Sequence, residues 1–507
     1  MKKVLYIALS AVAALMVTSC NMELFPYDSL EIGKGMKTYN DAVSYRVSIY
    51  SPLKSFVGGS RDCIEDIRSD LFNAKADFGN YYGRWHSWQH DVTEQEAQSI
   101  WFNDYAIIGN VNFAIDSYTD LIDNAEALGI TEAQADTIAL FRAEAYMVRA
   151  MAYLDLATKF CGAYDAASAE QPATGVPLPT TYAPTSDAAS YPERATLAET
   201  YGRILEDLNE ASIIDTPGKQ NNPYFSAHAV SALRARVYLY MGEWELALTE
   251  ALTVINNGTY SLANNAAAIK QMWDGDTSPE NIMLIAKNDK DLGSVSGGYY
   301  FIFDQNKNDG STPNPQYLPT RDLLNLYTTG DYRYDVYFET HNVKAGYNRA
   351  DMVVFYKFKG NPELRTDSNW NYVHKGKPFR LAELYLIAAE CYAELGNQEE
   401  ATFYLNELRK ARIENFNTKT TYGSLAALLD EIRNERAKEL VGEGFRMQDL
   451  KRWGLNMKRG ASQNPSMTHN TYDAIVKQAG DFRFLWPIPK AEIDANPQIA
   501  PQQNPGF

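Results

Sequence analysis

The sequence predicts a mostly α fold, a tetratricopeptide-like helix-pair scaffold joined to a loop-rich irregular subdomain containing a few short strands. Three observations carry this. In FRLAELYLIAAECYAELGNQEEATFYLNELRKARI, residues 379–413, the residues Leu381, Leu384, Ala388, Cys391, Tyr392 and Leu395 recur at three- and four-residue steps. Gly396 and Asn397 break the pattern, and Ala401, Tyr404, Leu405 and Leu408 resume it, which predicts a helix, a tight turn and a second helix. Second, the spacing of Ala389, Tyr392, Gly396 and Ala401 returns in Ala235, Tyr238, Gly242 and Ala247. Small residues on both helices of such a pair let the two backbones approach closely, as a helical repeat requires. Third, beyond residue 270 the periodicity fades into short apolar runs such as IMLIA and VVFYKF, separated by polar loops, which predicts short strands.

The chain opens on MKKVLYIALSAVAALMVTSC, with Lys2 and Lys3, an apolar run from Val4 to Val17, and small residues before Cys20. The run is shorter than the ~20 residues of a membrane-spanning helix, so residues 1–19 are expected to be an export leader. Val17, Thr18 and Ser19 ahead of Cys20 look like a bacterial lipobox, which would make Cys20 the lipid-bearing first residue of the mature chain. The remainder divides into an N-terminal region, 20–220, and a C-terminal region, 221–507.

Helical periodicity occupies 39–72 around Gly58 and Gly59. Residues 73–92, NAKADFGNYYGRWHSWQHDV, hold neither helical nor strand period, yet gather Tyr81, Tyr82, Trp85 and Trp88 among Asn80, Arg84, His86, Gln89 and His90. Aromatics in a polar, Gly-punctuated loop are candidates for ligand contact, Trp85 and Trp88 first, then Tyr81 and Tyr82. A loop that folds back to bury its tryptophans is the alternative. Helices are expected over 97–122, 133–160, 197–214 and 226–257, with a Pro- and Thr-rich excursion from Gly162 to Arg194. A second aromatic loop carries Tyr299 and Tyr300 behind a Gly pair, and the ligand site is expected where the two loops meet. DQNKNDG after it invites a calcium loop, but its Gly falls one place late and no glutamate closes it.

The formal charge is −17, or −19 once Lys2 and Lys3 leave with the leader. Without a basic footprint, nucleic acid is not an expected partner. Besides Cys20 only Cys63, Cys161 and Cys391 are present, without zinc spacing or the count of a disulfide framework. No G-x-S-x-G, H-E-x-x-H, P-loop or dinucleotide fingerprint occurs. His86 and His90 stand four apart with no third ligand nearby. Neither cofactor nor metal nor catalytic residue is expected, and a two-carboxylate glycoside hydrolase is the enzyme alternative.

In LLDEIRNERAKELVGEGFRMQDLKRWG, residues 428–454, acids alternate with arginines at three- and four-residue helical spacing. Such pairing lowers carboxyl pKa values, whereas a general acid needs a raised one, so this segment is expected to be a charged lock between helices. Glu435, Arg436, Glu439, Leu440, Glu443, Gly444, Arg446, Asp449, Leu450, Arg452 and Trp453 resemble the C-terminal signature of the SusD/RagB family. Gly175 to Pro179, and the ending from Leu485 to Phe507, are similar to further family elements. The resemblance implies a non-catalytic, lipid-anchored glycan-binding protein of the outer membrane, facing the cell exterior. Its implied partner is a SusC-like TonB-dependent transporter that imports the glycan, while the RagB side of the family implies a peptide in the glycan's place. Sugar rings bury their flat C–H faces on Trp and Tyr while Asn, Gln and Arg serve their hydroxyls, which matches the composition around Trp85, Trp88, Tyr81, Tyr82, Tyr299 and Tyr300.

Overall fold

This computed structural model describes residues 35–287, 298–302, 313–366, 372–469 and 474–507. Eleven of its helices make the frame. In the N-terminal half they are α1 (Tyr39–Tyr50), α2 (Ser60–Ile67), α3 (Gln95–Asp123), α4 (Glu132–Phe160) and α5 (Leu197–Glu210). Threonine capping boxes start α1, α4 and α5: Thr131 Oγ1, for example, accepts from the Gln134 N–H while the Gln134 side chain accepts from Thr131 N–H. The long helices α3 and α4 lie along each other and bury Ile108, Val111, Tyr118, Ala145, Val148 and Ala152.

The two helix pairs form as the repeated spacing predicts. α6 (Ala227–Met241) and α7 (Trp244–Ile255) turn at Gly242, and α8 (Leu381–Glu394) and α9 (Gln398–Arg412) turn at Gly396. Both glycines take a left-handed φ, +75° and +80°, that costs other L residues roughly 1–2 kcal/mol. Ala235, Ala247, Ala388, Ala389 and Ala401 are fully buried, and α7 packs on α8, so the pairs stack despite the residues between them. Closing the scaffold are α10 (Leu425–Leu440) and α11 (Arg446–Arg452).

The irregular subdomain contains three two-stranded antiparallel sheets among the described residues. β1 (Phe72–Ala74) pairs with the distant β2 (Tyr317–Pro319), and β3 (Phe338–Ala345) with β4 (Asn348–Phe355). The third joins Met457–Lys458 to Val476–Lys477. VVFYKF enters β4 as expected, whereas IMLIA forms only isolated bridges, Met283 to Asn222 and Ile285 to Gly376. Residues 73–92 also depart from the expectation of a structureless loop, since they begin in β1 and include a helical turn at Gly83–His86.

Residues 482–507 return across the N-terminal half. Trp486 is fully buried, and its Nε1 donates to Glu65 Oε1 at 2.6 Å. Asn504 Nδ2 donates to the Phe160 and Trp486 carbonyls, both at 2.8 Å, and Asn504 Oδ1 accepts from Arg194 Nη1 at 2.9 Å.

Candidate ligand-binding site

The aromatic segment divides into two populations. Trp85 and Trp88, ranked first as ligand contacts from composition, are core residues at 1% exposure each, which corrects that expectation. The Trp85 ring lies 4.1 Å from Trp486 and 4.4 Å from His90 between ring centres, and its Nε1 donates to Glu96 Oε2. Trp88 donates Nε1–H to the Arg68 carbonyl at 2.8 Å and meets Phe484 edge-on at 5.1 Å. The returning C-terminal segment supplies Trp486 and Phe484, so both indoles have apolar neighbours that a local reading cannot see.

Tyr81 and Tyr82 are half-buried instead, and they meet Tyr300. Ring centres are 5.8 Å apart for Tyr81 and Tyr300, and 4.7 Å for Tyr82 and Tyr300. The junction expected between the two aromatic loops therefore exists, built from tyrosines rather than tryptophans. Backbone geometry holds it. Gly79, Asn80 and Tyr82 have φ of +67°, +58° and +52°, and a run of left-handed residues persists only where its surroundings over-determine it. A Cβ on Gly79 would stand 2.8 Å from the Tyr81 ring, and one on Gly83 1.9 Å from Asn80 Oδ1. Tyr317 OH, on β2, donates to the Tyr81 carbonyl. From the other side, Gln316 N–H donates to the Tyr300 carbonyl at 2.8 Å, and Lys75 N–H to the Gln316 carbonyl at 2.9 Å. Both aromatic segments thus hang on the β1–β2 ladder. Burial raises the Tyr82 and Tyr300 phenols, so each remains a neutral donor and acceptor at neutral pH. Exposed ring faces beside neutral hydroxyls can take a flat C–H surface and pair with alcohols.

A second aromatic groove, of about 520 Å³, lies beside α1 and is lined by Val47, Tyr50, Phe141 and Tyr224. There Arg46 already covers the rings, 4.3 Å from the Tyr224 centre and 4.9 Å from that of Phe141, and is paired with Glu144 at 2.6 Å.

The histidines are structural. His86 Nδ1 bonds the Ile67 carbonyl at 2.7 Å while Nε2 accepts from Ala74 N–H at 3.3 Å. Burial pushes the imidazoles of His86 and His90 well below their usual range. Among the described residues no group of three His, Cys, Asp or Glu is placed to hold a metal. Cys20, the Tyr299 side chain and DQNKNDG lie outside the described residues.

The acid–arginine segment is a buried ion-pair network. Arg333 reaches Asp331, Glu435 and Glu439 at 2.7, 2.6 and 3.0 Å. Arg412 joins Glu280 and Glu439 at 2.7 and 2.9 Å, and Arg380 joins Glu439 and Glu443 at 2.9 and 2.5 Å. Arg452 bridges Glu390 and Asp449, Arg436 also holds Asp449, and Arg446 ties α11 to Asp70. Burial pushes the Glu439 carboxyl up, but Arg412, Arg380 and Arg333 outweigh it and hold it well below the usual range. Glu435 and Glu443 are depressed in the same way, against burial, by Lys438, Arg333 and Arg409 and by Arg380 and Lys357 respectively. Such carboxylates are poor general acids. Asp331, Arg333, Arg380 and Glu280 were missed by sequence reasoning, because nothing near them marks their partners in α9 and α10, such as Glu439, 59 positions beyond Arg380, and Arg412, 132 positions beyond Glu280.

Residues 336–507 match the sequence pattern of the SusD family, and residues 56–239 match one described as starch-binding associating with outer membrane. SusD-like protein P2 of Formosa agariphila is 27% identical over 451 residues, covering 81% of this chain and 80% of its own. A SusD superfamily protein from Bacteroides thetaiotaomicron superposes with a TM-score of 0.74 at 27% identity, over 92% of this chain and 100% of that one. Surface glycan-binding protein A from Bacteroides fluxus shares the fold, with a TM-score of 0.68 at 21% identity, over 93% and 100%.

Proposed function

Because the chain belongs to the SusD family, we propose that it binds glycans without catalysis at the outer membrane and delivers them to a SusC-like TonB-dependent transporter for import. The observation that carries the glycan reading is the convergence of the half-buried Tyr81, Tyr82 and Tyr300, Tyr82 and Tyr300 with neutral hydroxyls, on a backbone held in left-handed conformations. The depressed carboxylates of the α10–α11 network leave that segment without a general acid. For the membrane association, the apolar leader and Cys20 supply the anchor, since each buried CH₂ of an acyl chain contributes about 0.8 kcal/mol. No described helix is long and apolar enough to cross a membrane itself.

Screening the purified chain against a glycan array and a peptide library in parallel tests the ligand class. Retention of polysaccharides, with no new reducing ends on prolonged incubation, is expected. Binding of peptides alone would move the chain to the RagB-like reading, and release of reducing ends would make it an enzyme. Cys20→Ala should leave the membrane fraction, and affinity purification of the wild type from gentle detergent should recover a TonB-dependent barrel.

A further inference from the structure

Resting on the glycan-binding reading, we propose that Tyr347 is a second stacking platform, so that the site recognises an extended glycan running from the tyrosine junction to the tip of the β3–β4 hairpin. Tyr347 is 108% exposed, the most exposed large hydrophobic side chain among the described residues. It stands in a two-residue hairpin turn between the paired Ala345 and Asn348, behind Gly346 at φ +58°. Such turns favour small polar residues, and nothing among the described residues packs on this ring.

The tip is held against the segment that displays Tyr81. Gly346 N–H donates to Asp77 Oδ2 at 2.9 Å, and Lys75 Nζ donates to the Lys344 carbonyl at 2.9 Å while pairing with Asp77 at 2.6 Å. From a third direction Asn348 Nδ2 donates to the Ser466 carbonyl at 2.9 Å. Asp77 precedes Tyr81 by four residues, so the backbone between them spans at most about 14 Å. The hairpin tip and the tyrosine junction are therefore neighbouring platforms on one braced segment, close enough for one oligosaccharide to reach both. Alongside, Asn342, Arg349 and Asp351 form an exposed hydrogen-bonded row, Asn342 Nδ2 to Asp351 Oδ1 at 3.0 Å and Arg349 Nη1 to Asn342 Oδ1 at 3.2 Å. That row offers donors and acceptors to hydroxyls on the same hairpin as an exposed ring, the combination a sugar needs.

The test uses size ladders from disaccharide to octasaccharide, cut from starch, xylan, mannan and pectin, and measures affinity for the wild type, Tyr347→Ala, Tyr347→Phe and Tyr81→Ala. On whichever ladder the wild type retains, its affinity should rise with length, and Tyr347→Ala should lower octasaccharide affinity about tenfold and disaccharide affinity far less. Tyr347→Phe should keep most of the length dependence, because the ring face remains. If Tyr81→Ala loses affinity while Tyr347→Ala follows the wild type at every length, the extended site is overturned and the glycan reading stands. A wild-type chain that retains none of the ladders overturns both.

Discussion

The network around α10 and the tyrosine junction both gather polar and aromatic side chains, and they differ in how deeply those side chains are buried. Around Glu439 every charge faces its opposite, and Arg333, Glu435, Glu439 and Arg412 have no exposed side-chain surface. At the junction, Tyr81 and Tyr82 each meet Tyr300, and all three residues are only half-buried. Chemical type does not separate a structural cluster from a binding one, since the network is the richer in ionisable groups. Degree of burial separates them.

Perturbations should sharpen this contrast in a definite order. Acid should act most strongly, because it reaches Glu390, Glu435, Glu439 and Glu443 together. Their folded pKa values lie below the usual 4.5, so the stabilisation is complete above about pH 4.5 and drains away as the pH falls toward the folded values. Urea midpoints should drop steeply below about pH 4, and a midpoint that stays level from pH 5 to pH 3 would remove the network as a source of stability. Next, Glu439→Ala leaves Arg333, Arg380 and Arg412 short of a partner in a dry interior, at a cost of about 3–5 kcal/mol by denaturant unfolding. Trp85→Ala should cost a similar 3–5 kcal/mol through the cavity left against Trp486, and a variant that melts like the wild type would return Trp85 to the surface. The smallest change in stability, and the largest in binding, is expected of Tyr81→Ala. It should lose about 2 kcal/mol of glycan affinity by calorimetry with the thermal midpoint nearly unmoved, and the reverse outcome would make the junction another core.

Local periodicity reveals the helical frame because the frame is local. The expected spans 97–122 and 133–160 fall within two residues of Gln95–Asp123 and Glu132–Phe160, and both Gly turns stand where the repeated spacing puts them. The charged segment is legible for the same reason, its acids and arginines sharing helix faces. Its outer partners are not, since Arg333 and Glu280 arrive from other elements. The tryptophans fail by the same logic: Trp85 and Trp88 look stranded in a polar loop, and the rings that bury them lie about 400 residues further along the chain. The meeting of Tyr300 with Tyr81 and Tyr82 depends on a ladder between β1 and β2 that a three-residue strand cannot announce.

The closing segment from 482 to 507 also dictates an order of events. Glu65, the Phe160 carbonyl and the Trp85 ring all wait for Trp486 and Asn504, 344 to 421 positions further along the chain. Contacts of such sequence separation form late and slowly, and until they form the first half exposes apolar surface. A nick or a bulky insertion within 482–507 would therefore unfasten packing in the first half of the molecule.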